Sequence, residues 1–336
     1  MVPGTPRNMS EDNESLKLEG EPRPLMSSLP MIDTGNSVVL VLLCVMILIV
    51  GTVGNSVVLY TFGWRKRKSM NNSKALLLTL GIFDLICSAL IPVLMIVRTV
   101  GPQAAAFDAG CRVLPLALTS SVTASQVMII AICYDRYVAV RHPFRNRPMI
   151  PLIKKTVTAS ILLSTVLCIP MFVDLMKHSF IEAFYCYRSF EKSRSFLLQS
   201  CVFLARDVNT FIAMAFYIRG ILRELGRTTD KLPPSSAQQC IRWRKRREHI
   251  KRLLAAVVTT FKLCIAPFDL YIFFLMTFDF QDPGPNSWQK IVTGGSYLIV
   301  LQSANSAVNV FIYSAFHPDF TFLRVMSRRL SISFSS

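Results

Sequence analysis

Seven predominantly apolar runs divide this chain of 336 residues, at 36–62, 73–99, 111–134, 152–175, 196–222, 253–278 and 291–314. A helix that crosses a bilayer needs ~20 mostly apolar residues. Lipid admits only structures that satisfy their backbone hydrogen bonds internally. A buried core helix could account for one or two such runs, but not for seven joined by short polar connections. Composition agrees, with 52% apolar residues and only 17% charged ones. The chain is therefore expected to be an all-α membrane protein, a bundle of seven transmembrane helices spanning residues 36–315. It is flanked by a polar tail (1–35) and a C-terminal stretch (316–336). In that stretch Phe316, Phe320, Leu323 and Met326 fall roughly on one face with arginines elsewhere, the spacing of a short amphipathic eighth helix lying on a membrane surface.

Charge placement predicts orientation. Connection 1–2 carries Arg65, Lys66, Arg67, Lys68 and Lys74; connection 3–4 carries Arg141, Arg145, Arg147, Lys154 and Lys155; connection 5–6 holds RWRKRREHIKR. The tail and the remaining connections carry slightly more acids than bases. Basic loops stay in the cytoplasm, so the N-terminus is expected outside and the C-terminus inside, in a multi-pass plasma-membrane protein. The tail holds glycosylation sequons at Asn8 and Asn13, and no apolar stretch of signal-peptide type, so the first segment is expected to direct its own insertion. The net charge of +17 is thereby read as a topology signal with contact to anionic lipid, not as a nucleic-acid-binding surface. Of nine cysteines, Cys111 and Cys186 occupy outward-facing positions, where an oxidising exterior permits a bond between them.

Polar side chains at membrane depth are costly and mark function. The third segment ends in ICYDRYVAVRHP, with Asp135, Arg136 and Tyr137; Cys111 and Arg136 lie 25 residues apart. At ~1.5 Å per residue that separation is roughly 37 Å, a full bilayer with its interface. Further polar residues are Asn55 in GNSVV, Asp84 in LGIFD, and Asn305, Ser306, Asn309 and Tyr313 in NSAVNVFIY.

Taken in order across residues 36 to 325, these motifs resemble the rhodopsin-like (class A) G-protein-coupled receptors. The resemblance implies that Asp135 holds Arg136 at rest and that Arg136 turns toward a heterotrimeric G protein on activation, supported by Tyr217 and Tyr313. It implies a sodium site at Asp84 with Ser125, Asn305 and Ser306, near Asn55 and Asn309, this ion being the one cofactor expected. Phe261, Cys264 and Pro267 match the sixth segment's motif, and Pro267 should kink that helix. A receptor is expected rather than an enzyme, with arrestin and a receptor kinase as partners for Ser331, Ser333, Ser335 and Ser336.

The departures from the family pattern are specific. Ile265 stands where the family usually has tryptophan, Val310 and Asn209 replace prolines, and Ser160 replaces the fourth segment's tryptophan. Arg247 stands where many relatives carry an acid facing Arg136, leaving the resting lock mainly to Asp135. Within the fifth and sixth segments, Arg206 and Asp269 lie at depths that agree within ~3 Å, so they are expected to pair. Lys262 is the alternative partner for Asp207. Leu118 and Ser303 stand where amine receptors and opsins carry their aspartate and lysine, which argues against an amine or retinal. The aromatic and charged loop 180–194 and the residues Arg98, Leu118, Arg188, Arg206 and Asp269 then favour an extracellular peptide ligand. A non-signalling, scavenging receptor or a receptor for a small non-amine ligand is the alternative.

Overall fold

A computed structural model describes residues 32–65, 70–100, 105–142, 149–177, 194–231, 237–277 and 285–316. Among these residues the chain forms seven α-helices and no strand: α1 (Thr34–Leu59), α2 (Asn72–Val100), α3 (Ala105–Arg141), α4 (Met149–Lys177), α5 (Arg194–Lys231), α6 (Ala237–Thr277) and α7 (Pro285–Phe316). A π-helical turn, Tyr60–Arg65, continues α1. The glycosylation sequons, Cys186, Arg188 and nearly all of the expected eighth helix lie outside the described residues, as do the serines of the tail.

Two helix starts follow from capping chemistry. Asp33 has extended backbone, and its carboxylate accepts from the backbone and side-chain N–H groups of Asn36. These bonds, the side-chain one foremost, hold its carboxyl below the usual aspartate range. Asn71 does the same for α2, accepting from Lys74 N at 3.0 Å.

The helices close into a ring: α1 packs on α2 and α7, α2 on α3, α3 on α4 and α5, α5 on α6, and α6 on α7. The ring is turned inside out relative to a water-soluble bundle. Val38, Leu42, Met46, Ile49 and Val53 of α1 are exposed, as are Ile161, Leu162, Val166 and Ile169 of α4. Asn55, Asp84, Ser125, Gln126 and Asn309 are buried. Such a distribution suits lipid outside and polar partners within.

The interior is stratified. One apolar cluster, near the Arg136 end, contains Val58, Phe62, Leu76, Leu80, Met128, Cys133, Met214, Phe261, Ile265 and Val310. A second, near the Asp33 end, contains Leu40, Cys44, Ile91, Met95, Leu114, Leu118, Ile299 and Val300. Asn55 on α1, Asp84 and Ser88 on α2, and Gln302, Ser303, Asn305, Ser306 and Asn309 on α7 are buried and fall between these clusters in sequence, making a polar layer at mid-depth.

Six of the helices are long and apolar enough, by composition, to cross a membrane on their own. The seventh expected span, α7, is 32 residues long but carries Gln302, Ser303, Asn305, Ser306 and Asn309, all buried. Its polarity is spent on the bundle interior, so α7 depends on its neighbours for a place in lipid.

Helix α1 approaches α2 and α7 closely because it has no side chain at two positions. A Cβ on Gly51 would lie 2.5 Å from Ser88 Cβ, and one on Gly54 would lie 2.8 Å from Val310 Cγ1. Overpacking of a close interface costs typically 1–3 kcal/mol. Gly54→Leu is expected to lower the thermal midpoint of the purified protein accordingly, whereas the same change at Gly226, which has open space, should not. Equal midpoints for the two variants would contradict the close α1–α7 contact.

Candidate functional site

Asp84, on α2, is fully buried at the centre of the polar layer. Asn309 Nδ2 on α7 donates to its Oδ2 at 3.0 Å. The Ser125 and Ser306 hydroxyls lie within reach of the same carboxylate, yet Oδ1 makes no hydrogen bond of good geometry. Asn55 Nδ2 bridges Gly51 O at 2.9 Å and Ser306 O at 3.2 Å, while its own Oδ1 has no donor. Asn305 is buried on α7. The structure thus brings α1, α2, α3 and α7 together around two orphaned acceptor oxygens. Leaving such a group unsatisfied costs roughly 1–3 kcal/mol, more when it is charged. Oxygen-only donors of this kind fit a small hard cation.

At the Arg136 end of α3, Asp135 is 1% exposed and accepts a hydrogen bond from Ser73 Oγ at 2.6 Å. Ser73 belongs to the first turn of α2, so the bond ties the start of one helix to the end of another. The sequence reading missed this residue; the only available signal was a hydroxyl in the polar NNSK stretch beside a basic connection. Tyr137 stacks near Phe216 and Tyr217 of α5, with ring centroids 6.4 Å and 5.8 Å apart, and Tyr134 meets Tyr217 edge-on at 5.8 Å. Arg141 donates to the Tyr137 hydroxyl and lies over its ring. Gly220 leaves space for the Tyr137 ring, which a Cβ there would meet. The aromatic patch therefore couples α3 to α5 beside Arg136.

A second polar network joins α3, α5 and α6. Arg206 Nη2 donates to Asp269 Oδ2 at 2.6 Å and to Asp207 Oδ1 at 3.0 Å, and Arg206 Nε reaches Asp207 Oδ1 at 3.1 Å. Gln126 Nε2 donates to Asp207 Oδ1 at 2.6 Å, and Thr210 Oγ1 donates to Arg206 O at 2.9 Å and to Gln126 Oε1 at 3.3 Å. The guanidinium also lies over the Phe203 ring, 4.9 Å from its centroid. The alternative partnership of Lys262 with Asp207 is not what forms. Lys262 is exposed, and its ammonium sits 3.9 Å from the centroid of Phe211, because an aromatic face satisfies a lone cation where Arg206 already occupies the acid.

The remaining expected residues are placed as follows. Leu118 is buried in the cluster near the Asp33 end, and Arg98, on the last turn of α2, directs Nη1 at Met95 Sδ, 3.9 Å away. Phe261 and Ile265 are buried in the cluster near the Arg136 end, below Pro267, which lies inside α6. Asn209 is exposed and faces outward, and Ser160 is satisfied by Thr156 O at 2.9 Å. Cys111, Arg247 and Tyr313 lie on α3, α6 and α7, with their side chains outside the described residues; Glu248 is exposed.

Removing one partner from a buried ion pair costs roughly 3–5 kcal/mol because the other charge is left uncompensated. Arg206→Met is therefore expected to lower thermal stability and surface expression strongly, and Arg206→Met combined with Asp269→Leu to recover much of the loss. Absence of any recovery in the double variant would show that the two residues do not act as a pair.

Comparison with known proteins agrees with this geometry. A human receptor, proteinase-activated receptor 4, is 25% identical over 281 residues, covering 80% of this chain. The chain spans 66% of that relative's length, just under two thirds. Residues 54–313 match the family described as 7 transmembrane receptor (rhodopsin family), a stretch that runs from the last turns of α1 into α7 and takes in both polar networks. The chain belongs to the rhodopsin family of seven-transmembrane receptors.

Proposed function

We propose that the chain is a cell-surface receptor that binds an extracellular peptide and activates a heterotrimeric G protein by rearranging α3, α5 and α6. In this reading the N-terminus lies outside and the Arg136 end faces the cytoplasm. The carrying observation is the arrangement at that end. Asp135 is buried and fixed by Ser73, directly beside Arg136, and an aromatic patch links α3 to the Tyr217 region of α5. An acid held in place by a neighbouring helix can hold Arg136 until that helix contact changes. The basic connection between α5 and α6 offers a surface for the G protein. Phosphorylation of the C-terminal serines would add sites for a receptor kinase and arrestin.

A peptide is favoured over an amine because Leu118, where amine receptors carry an acid, is buried in an apolar cluster. The similar receptor named above is, by its name, activated by a proteinase, which keeps the peptide class in view. The orphaned oxygens of Asp84 and Asn55 support an allosteric sodium ion held with Ser125, Asn305 and Ser306. The bound ion would supply the missing positive charge. A Cys111–Cys186 bond and glycans on Asn8 and Asn13 complete the outward-facing side. A scavenging, non-signalling receptor is the second reading, favoured by the buried aliphatic residues Ile265 and Val310 at positions of family motifs.

A peptide library applied to cells expressing this chain, read with several G-protein sensors, separates the two. A G-protein response that disappears in Arg136→Ala at equal surface expression is expected; ligand uptake without any such response selects the scavenger. A hydrogen bond to a charged group contributes roughly 1.5–3 kcal/mol, so Ser73→Ala should shift the resting–active ratio by about tenfold or more. Basal signalling should rise in Ser73→Ala and in Asp135→Asn. Unchanged basal activity in both at matched expression would remove Asp135 from the lock.

A further inference from the structure

We propose that Asp207 and Asp269 share a single proton, which makes the α3–α5–α6 contact a proton-binding site. The network contains two carboxyl groups and one guanidinium, so with every group ionised it carries one uncompensated negative charge in the interior of a membrane protein. Both carboxyl groups bond the same Arg206 Nη2, at 3.0 Å and 2.6 Å, so they stand side by side. Two carboxylates cannot bond, since neither has a donor. Asp207 Oδ2 is buried and has no donor in the network as it stands, whereas Oδ1 of the same carboxyl accepts from Gln126 Nε2 and from Arg206 Nε and Nη2. One proton held between the acids supplies the missing donor and brings the network to neutrality.

Among the described residues, the groups facing the pair from each packed element leave the proton as the balancing charge. α3 contributes Gln126, which is neutral, and α4 contributes Cys168, close enough to feel the Arg206 charge. α5 contributes Arg206, Asp207 and Thr210, and the charges that bear on Asp269 of α6 are those of Arg206 and Asp207. Lys262 is turned away onto Phe211. Buried like-charged acids at short range hold one proton between them for the same reason in other proteins: both cannot ionise together.

The proton is thereby a ligand of the α5–α6 contact. Its loss leaves two carboxylates competing for one guanidinium and loosens α6 from α5. A consequence for signalling rests on the receptor reading above; the proton site itself does not, and its test needs no G protein. The full-length protein is purified in detergent, and infrared spectra are taken for wild type, Asp207→Asn and Asp269→Asn, in light and heavy water. A protonated-carboxyl C=O band that shifts in heavy water is expected in wild type and is lost in each variant, because either amide leaves a single acid to pair with Arg206. The folded state binds a proton that the unfolded chain releases at neutral pH, so stability should fall as pH rises. That slope should flatten in both variants. Retention of the full wild-type absorption in both variants overturns the proposal, and so does its loss in only one, which would place an unshared proton on a single acid. Failure of both variants to fold also overturns it, since each amide is an isosteric stand-in for the protonated acid.

Discussion

Every polar side chain in the middle of this bundle must find its partner inside the protein, because lipid offers none. That constraint organises the rest. The apolar clusters on either side of the polar layer use ordinary packing, while the layer decides which helices stand next to one another. Asn309 can reach Asp84 only if α7 lies against α2, and Arg206 can reach Asp269 only if α5 lies against α6. In a soluble bundle burial of apolar faces would supply the drive. Here lipid tails are as apolar as leucine, so close packing and interhelical hydrogen bonds carry more of the specificity.

The two polar groups are built differently. Around Asp84 the partners are an amide and hydroxyls from α3 and α7, with Asn55 of α1 alongside, and the unsatisfied atoms are oxygens. Around Arg206 the partners are ionic and come mainly from α5 and α6, with Gln126 reaching in from α3. α3 contributes to both through adjacent residues, Ser125 and Gln126, each almost completely buried. A rotation of α3 therefore cannot alter one network without altering the other. Toward the Arg136 end the same helix carries Asp135, bonded to Ser73, so three polar contacts are strung along one rod.

Much of the fold was legible because lipid imposes a simple length rule, and the seven apolar runs became seven helices. Their ends were not legible. α5 was expected to stop at 222 and continues to Lys231, and α6 was expected from 253 and begins at Ala237. The added turns are polar and charged, and counting apolar residues measures depth in lipid rather than helix length. Matching depths found Arg206 opposite Asp269, since both lie well inside apolar runs. The same reasoning offered Lys262 as an alternative partner for Asp207, because it counted charges and ignored the Phe211 ring one helix away. Ser73 and Gln126 escaped notice for a shared reason. A hydroxyl or an amide has no periodic signature, and its importance comes from a partner distant in sequence: Asp135 in one case and Asp207 in the other.

Val310 has a mechanical implication. It retains the backbone N–H that a proline would have removed, and α7 runs unbroken from Pro285 to Phe316 with Val310 packed against the bare face of Gly54. α6, by contrast, contains Pro267, whose ring deletes the bond to the carbonyl four residues back. One of these two neighbours is a stiff strut and the other a jointed arm. Displacement of α7 at Asn309 is then transmitted along its whole length, while α6 can bend at Pro267 with its two halves moving separately. Flexibility around the polar layer is thus unequally shared, and the stiff member is the one that carries the contact to Asp84.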